Sequence, residues 1–120
     1  MEVTINNLES YLAKTYGDFA EKNGVALAEN NLFMKLVEEM GEVAEVINKK
    51  TGRKADSGTD LQTELGKELT DVIHYAVAIA AVNGLDLNKI ILEKDRATAI
   101  KYNHKINLED FISEAEKNNV

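Results

Sequence analysis

Apolar side chains recur at spacings of three and four along nearly the whole chain. This spacing is the period of α-helices that bury one face. It predicts four helices and a short fifth, over about residues 4–23, 29–50, 59–83, 87–103 and from 107 onward. Short turns between such helices are typical of a bundle. The pattern therefore predicts an all-α fold, a four-to-five-helix bundle that forms a single domain over residues 1–120.

Polar residues and glycines stand where these helices are predicted to begin and end. Asn23-Gly24 and Asn83-Gly84 are typical helix stops. Thr59 and Gln62 form a candidate capping box for the third helix, and residues 51–59, with two glycines, predict a loop. Asp86 and Asn107 are predicted to cap the fourth and fifth helices. Two apolar stripes are predicted to face the core: Ile5, Leu8, Leu12 and Phe19 in the first helix, and Leu108, Phe111 and Ile112 in the fifth.

The second predicted helix carries a carboxylate inside its apolar face. On a helical wheel of about 100° per residue, the side chains of Leu32, Val43 and Val46 fall on one arc, and Glu39 falls within it. Glu42 lies one turn further on, at the border of that arc. A carboxylate among apolar side chains is unfavourable unless it is paired, protonated or bound to a cation. Glu39 therefore needs a partner.

The third predicted helix repeats this arrangement with Glu68 inside its apolar arc and Asp71 at the border. If the two helices pack face to face, four carboxylates converge, and their charges oppose one another. A hard divalent cation with oxygen ligands, Mg²⁺ or Mn²⁺, relieves that repulsion. Two alternatives remain: acids on an exposed face with salt bridges one turn away, or pairing of Glu39 with Lys35.

The charge balance narrows the classes of partner. The 120 residues include 14 basic and 21 acidic side chains, which gives a net charge of −7, and there is no cysteine. That sign disfavours a nucleic-acid polymer or an anionic membrane as partner, and the lack of cysteine excludes disulfides and thiolate metal sites. The first ten residues do not have the composition of a signal peptide, and no apolar run is long enough to span a membrane. A cytoplasmic protein is expected.

The acids also form a motif. Residues 38–42 (EEMGE) and 68–71 (ELTD) resemble the EExxE…ExxD signature of the MazG-like, all-α nucleoside triphosphate pyrophosphohydrolases, and the resemblance extends over about residues 32–102. It implies hydrolysis of a nucleoside or deoxynucleoside triphosphate to the monophosphate and pyrophosphate. It further implies that the protein assembles as a homodimer or homotetramer.

The resemblance also assigns roles to individual residues. It implies that Glu39, Glu42, Glu68 and Asp71 are the Mg²⁺ ligands, the four acids that the helical wheels select. Glu38, on the flank of its helix, matches the first acid of the motif, and its position suits either support of the metal ligands or orientation of the attacking water. Lys94 and Tyr102 resemble the residues that relatives direct at the phosphates and the sugar, and Thr98 lies between them. Tyr75, one turn after Asp71, is either a core aromatic or a side chain that borders or stacks on the nucleotide. Many relatives have asparagine where this chain has Thr98, so the preference for a deoxy sugar stays open.

Other functions share parts of this pattern. Phosphoribosyl-ATP pyrophosphatase and dUTPase or dCTPase activities use the same acids, and a non-catalytic helical interaction domain would keep the scaffold. Asp71 and His74 have the spacing of a di-iron ligand pair, but the second helix offers no matching histidine. The wheel predicts that His74 is exposed. Gly41 and Gly66, inside helices, are expected to allow close contact between helices.

Overall fold

The computed structural model describes residues 1–52 and 60–119. Within these ranges the chain forms five α-helices and no strand, which confirms the predicted all-α class. The helices are α1 (Ile5–Asn23), α2 (Val25–Lys50), α3 (Leu61–Val82), α4 (Leu87–Lys101) and α5 (Leu108–Asn118). No single helix of the described residues is long and apolar enough to cross a membrane; α3 and α4 meet that test only as a broken pair.

The chain divides into two compact units, residues 1–85 and residues 86–120. In the first unit, α2 and α3 share the most extensive interface and α1 packs against both. Its core is made of Leu12 from α1, Leu32 and Val46 from α2 and, on α3, Val77 and Ala78. The acids analysed above lie in this unit.

The turn between α1 and α2 is a single residue, Gly24. Its φ of 94° is a left-handed backbone conformation that glycine adopts without steric strain. The Gly24 amide donates to the carbonyl of Ala20, and the Gly24 carbonyl accepts from Ala28, so the second helix begins at once. The predicted start near residue 29 was therefore wrong by four residues.

Side chains cap the amino ends of four helices, α1, α3, α4 and α5. Thr4 and Asn107 accept hydrogen bonds from the amides of Asn7 and Asp110, and the second of these caps was predicted. At α3 the cap is Asp60, which accepts from the Gln62 and Thr63 amides. The predicted capping box was wrong in this respect, and its Thr59, like residues 53–58 of the predicted loop, lies outside the described residues.

The second unit consists of α4 and α5. Asp86 caps α4 as predicted, but the helix ends at Lys101, two residues before the predicted end, because Asn103 adopts a φ of 54°. The Asp95 carboxylate accepts from the Leu108 amide at 2.7 Å. Leu108 is half-buried, whereas the Phe111 and Ile112 side chains expected to pack with it are exposed.

Candidate active site

Three carboxylates meet at the interface between α2 and α3. Glu39 comes from α2, and Glu68 and Asp71 lie one turn apart on α3; one carboxylate oxygen from each lies within 4.8 Å of the others. Glu39 and Glu68 are half-buried and Asp71 is exposed. We call these three residues the acidic trio. The wheels selected them because i and i+3 positions share a helix face, and the packing of α2 on α3 brings the two faces together.

The electrostatics of the acidic trio favour a bound cation. The pKa of the Glu39 carboxyl is raised from its ordinary value, and the largest cause is desolvation. The negative charge of Asp71 raises it further, as do a hydrogen bond with Glu68 and the negative charge of Glu68. A raised pKa means that these surroundings disfavour the ionised form. The donors are all hard oxygens at mutual distances that one ion can bridge, so the trio fits a divalent cation of the Mg²⁺ type.

Two of the predicted site acids lie outside the trio. Glu42, one turn beyond Glu39 on α2, is exposed and is not among the three acids whose oxygens converge. Glu38 is exposed and forms an ion pair with Lys35 at 3.4 Å. The alternative in which Lys35 neutralises Glu39 was therefore wrong, because the lysine reaches the acid on the flank of the helix instead. That pair is more than half exposed, so solvent screens it.

A cavity of about 550 Å³ lies in the first unit, between α1, α2 and α3. Its lining is mostly apolar and comes from α1, α2 and α3: Tyr16, Phe19, Ala28, Asn31, Leu32, Met34, Lys35, Glu38 and Tyr75. Glu38 precedes Glu39 of the trio in sequence, and Tyr75 follows Asp71 by one helical turn. No member of the trio lines the cavity, but two of the cavity's lining residues lie within one helical turn of a trio member along the chain.

Tyr75 borders this cavity, and its neighbour His74 corrects a prediction. The His74 side chain is half-buried, not exposed, because α1 covers its side of α3. Its Nε2 is hydrogen-bonded to the Tyr16 hydroxyl at 2.7 Å. Iron coordination through His74 Nε2 would require this contact to break.

Sequence reasoning missed Tyr16 as a site residue and placed Phe19 wholly in the core. Tyr16 follows Leu12 by four residues and so continues the apolar stripe of α1, a signal that was present in the sequence. Phe19, at the end of that stripe, is 42% exposed because it lines the cavity. Among the described residues, Gly41 and Gly66 mediate no close contact between helices, because an added Cβ would meet none of their atoms within 4 Å.

The predicted phosphate and sugar residues belong to the second unit. Lys94 is exposed and Thr98 half-buried on α4. Tyr102 caps the carboxyl end of α4 instead of lying within it; its ring is 62% exposed and stacks on His104 with the centroids 6.2 Å apart. Their contacts with a nucleotide stay predictions.

The three convergent carboxylates between two helices of an all-α protein fit a metal-assisted hydrolase of phosphoric anhydrides. The family model of the MazG nucleotide pyrophosphohydrolase domain matches residues 28–96, and the chain belongs to this family. The protein is thus a hydrolase that acts on nucleoside triphosphates, of a family that generally requires a divalent metal. The match includes the acidic trio and Lys94 but ends before Thr98 and Tyr102. Among curated protein sequences, none is significantly similar to the chain.

Proposed function

We propose that the protein hydrolyses a nucleoside or deoxynucleoside triphosphate to the monophosphate and pyrophosphate with Mg²⁺, or Mn²⁺ in its place. The observation that carries this proposal is the acidic trio, with its three carboxylate oxygens within 4.8 Å of one another. Family membership supports nucleotide pyrophosphohydrolase activity in general. The oxygen-only donors support a hard cation over zinc or iron.

Glu39, Glu68 and Asp71 would hold the ion, and Glu42 would join them from the next turn of α2. When bound, the ion neutralises charge on the phosphate oxygens and lowers the pKa of water. Without it, the negative charges of the trio repel a triphosphate. The four acids are therefore both the ligands of the ion and the reason that the reaction depends on it.

Glu38 would accept the proton of the attacking water. The water oxygen forms a bond to the α-phosphorus, the bond from that phosphorus to the α–β bridging oxygen breaks, and pyrophosphate leaves with the electron pair. Glu38 suits this role because its carboxylate is exposed beside the cavity and next to Glu39. A base within hydrogen-bond reach of the water is the geometric requirement.

The nucleoside part of the substrate would occupy the cavity between α1, α2 and α3, with Tyr75 against it. In this scheme Lys94 contacts the phosphates, and Tyr102 and Thr98 contact the sugar. The supporting observation for the cavity is its aromatic and apolar lining, which suits a flat base better than a phosphate. The roles of Lys94, Thr98 and Tyr102 rest on the family's pattern.

A second copy of the chain is the partner we propose for the outer faces of α2 and α3. Phe33, Val37, Met40 and Ile47 on α2 are 45–55% exposed, and their spacings of four, three and seven match the seam of packed helices. Leu69 and Ile73 extend an exposed apolar face on α3. Two such helix pairs would complete a four-helix arrangement, so light scattering should give a dimer or tetramer mass. A monomer at micromolar concentration contradicts this proposal.

The test of the reaction is a panel of nucleoside and deoxynucleoside triphosphates with Mg²⁺ or Mn²⁺, in which pyrophosphate and orthophosphate are measured separately. The panel includes dUTP, dCTP and phosphoribosyl-ATP, which tests the related activities in the same assay. Equimolar monophosphate and pyrophosphate are expected. Release of orthophosphate contradicts the proposed bond cleavage. Lack of turnover of every compound contradicts the proposed function and favours a helical interaction domain.

A further inference from the structure

His74 lies between two tyrosines that line the cavity. Its ring makes edge-to-face contacts with Tyr16, at a centroid distance of 5.7 Å and an interplanar angle of 83°, and with Tyr75, at 4.9 Å and 74°. Edge-to-face contacts of this kind are favourable arrangements of aromatic rings. The three rings therefore form one packed group, of which two members border the cavity.

The hydrogen bond between the Tyr16 hydroxyl and His74 Nε2 connects two helices. Tyr16 belongs to α1, and His74 lies on α3 one turn after Asp71 of the acidic trio. Both side chains are half-buried, so the bond is partly shielded from competing water. The pKa of the Tyr16 hydroxyl is raised, mainly by burial, so the phenol stays neutral over a wider pH range.

A hydrogen bond and a perpendicular ring contact restrict a side chain in different ways. The ring contact fixes the tilt of the Tyr16 ring relative to His74, and the hydrogen bond fixes its position along the helix. A flat base gains more affinity from an aromatic wall that is already ordered, because ordering a mobile side chain on binding reduces the gain. The histidine supplies that order before the ligand arrives.

We propose that His74 is a positioning residue that holds the Tyr16 ring as a wall of the cavity, and that Tyr16 thereby contributes affinity for the base of the nucleotide. This inference rests on the proposed function, in which the cavity receives the nucleoside part. It assigns to His74 no contact with the reacting atoms. It predicts an effect on binding of the base and none on the chemical step.

The test compares conservative variants in steady-state kinetics. Tyr16→Phe keeps the ring and removes the hydroxyl, and His74→Ala removes the partner. Each should raise the KM for the best nucleotide of the panel by about two- to tenfold, as expected for one lost hydrogen bond, with kcat within about twofold. In His74→Gln the side-chain amide replaces Nε2 as a hydrogen-bonding group, so the KM should return most of the way to the wild-type value.

The matched control is Tyr11→Phe, an exposed tyrosine of the same helix that does not line the cavity. It should leave both kinetic constants unchanged. Thermal unfolding of each variant shows whether the fold is retained, and the glutamine variant serves as the second measure if Tyr16→Phe is unstable.

A substrate that lacks the base distinguishes the loss of an ordered Tyr16 ring from a general disturbance of the site. Ribose 5′-triphosphate lacks the base, so Tyr16→Phe and His74→Ala should not change its KM. An equal rise in KM with and without the base, or a loss of kcat at constant KM, overturns the inference. So does an unchanged KM in every variant of an active enzyme, whereas an inactive wild-type protein removes the proposed function itself.

Discussion

Replacing Asp71 by asparagine tests the metal role of the acidic trio. The change is nearly isosteric, and Asp71 is the exposed member of the trio, so the packing of α2 on α3 should survive. Three carboxylates within 4.8 Å form three repelling pairs, and neutralising one of them leaves a single pair. Without Mg²⁺, the variant should therefore be at least as stable as the wild-type protein. Its gain should be modest, because exposed charges are screened by solvent.

The two proteins should differ most in how far added Mg²⁺ raises the Tm. An ion that binds only the folded state stabilises it by about 2.7 kcal/mol at a hundred times its dissociation constant. For a folding unit the size of residues 1–85, this corresponds to a rise in Tm of about 11–22 °C. Weakening binding about a hundredfold by Asp71→Asn leaves about 0.4 kcal/mol at the same Mg²⁺ concentration, a rise of only about 2–3 °C.

The assay is thermal unfolding by circular dichroism over a Mg²⁺ titration, with NaCl at equal ionic strength to separate binding from screening. Turnover of the best nucleotide is measured in parallel and should be abolished. Asp18→Asn is the matched control, because it removes the same charge from an exposed position on α1 outside the trio. A full Mg²⁺-induced rise in Tm in the Asp71→Asn protein would refute the reasoning and remove Asp71 from the proposed ligands.

Three further predictions concern a titration, a substrate contact and a helix cap. Because surrounding groups raise the pKa of Glu39, the folded metal-free protein binds that proton more tightly than the unfolded chain. The free energy of unfolding should therefore fall as pH rises through the raised pKa of Glu39. Glu39→Gln should remove this pH dependence when the free energy of unfolding is measured from pH 4 to 8. Lys94→Ala should raise KM or lower kcat while Mg²⁺ binding, followed by calorimetry, stays unchanged. Thr4→Ala removes the hydrogen bond to the Asn7 amide and should lower the free energy of unfolding by about 1 kcal/mol in urea.

The position of the trio was predictable because it depends on two local regularities. Glu39 and Glu68 each fall within the apolar arc of their own helix, and the helical period alone determines that arc. The only further requirement was that α2 and α3 face each other, which sequential helices joined by a loop commonly do. The Lys35–Glu38 ion pair is equally local, at a spacing of i and i+3, although sequence reasoning gave the lysine to the neighbouring acid.

The burial of His74 could not be predicted from the helical period alone. The wheel of α3 placed this side chain outside the apolar arc, and within α3 that placement is correct. Its burial comes from α1, through a tyrosine 58 residues earlier in the chain. A single helix contains no information about which neighbour covers its flank, so a residue outside the apolar arc can still be half-buried. The cavity depends on the same packing of three helices and was for that reason not predicted.

The interface between α2 and α3 therefore combines a stabilising and a destabilising contribution to the fold. The packing of α2 on α3 buries much of the apolar surface of the first unit, and the acidic trio introduces like charges into that interface. Replacing the acids by neutral residues would favour the metal-free fold, as the raised pKa of Glu39 indicates. A bound cation would reverse the sign of this contribution, because the carboxylates that repel one another would then all be attracted to one ion. The negative net charge of the chain is thus compatible with an anionic substrate: part of it is concentrated where a divalent cation would bind, and that cation is what would attract the phosphates.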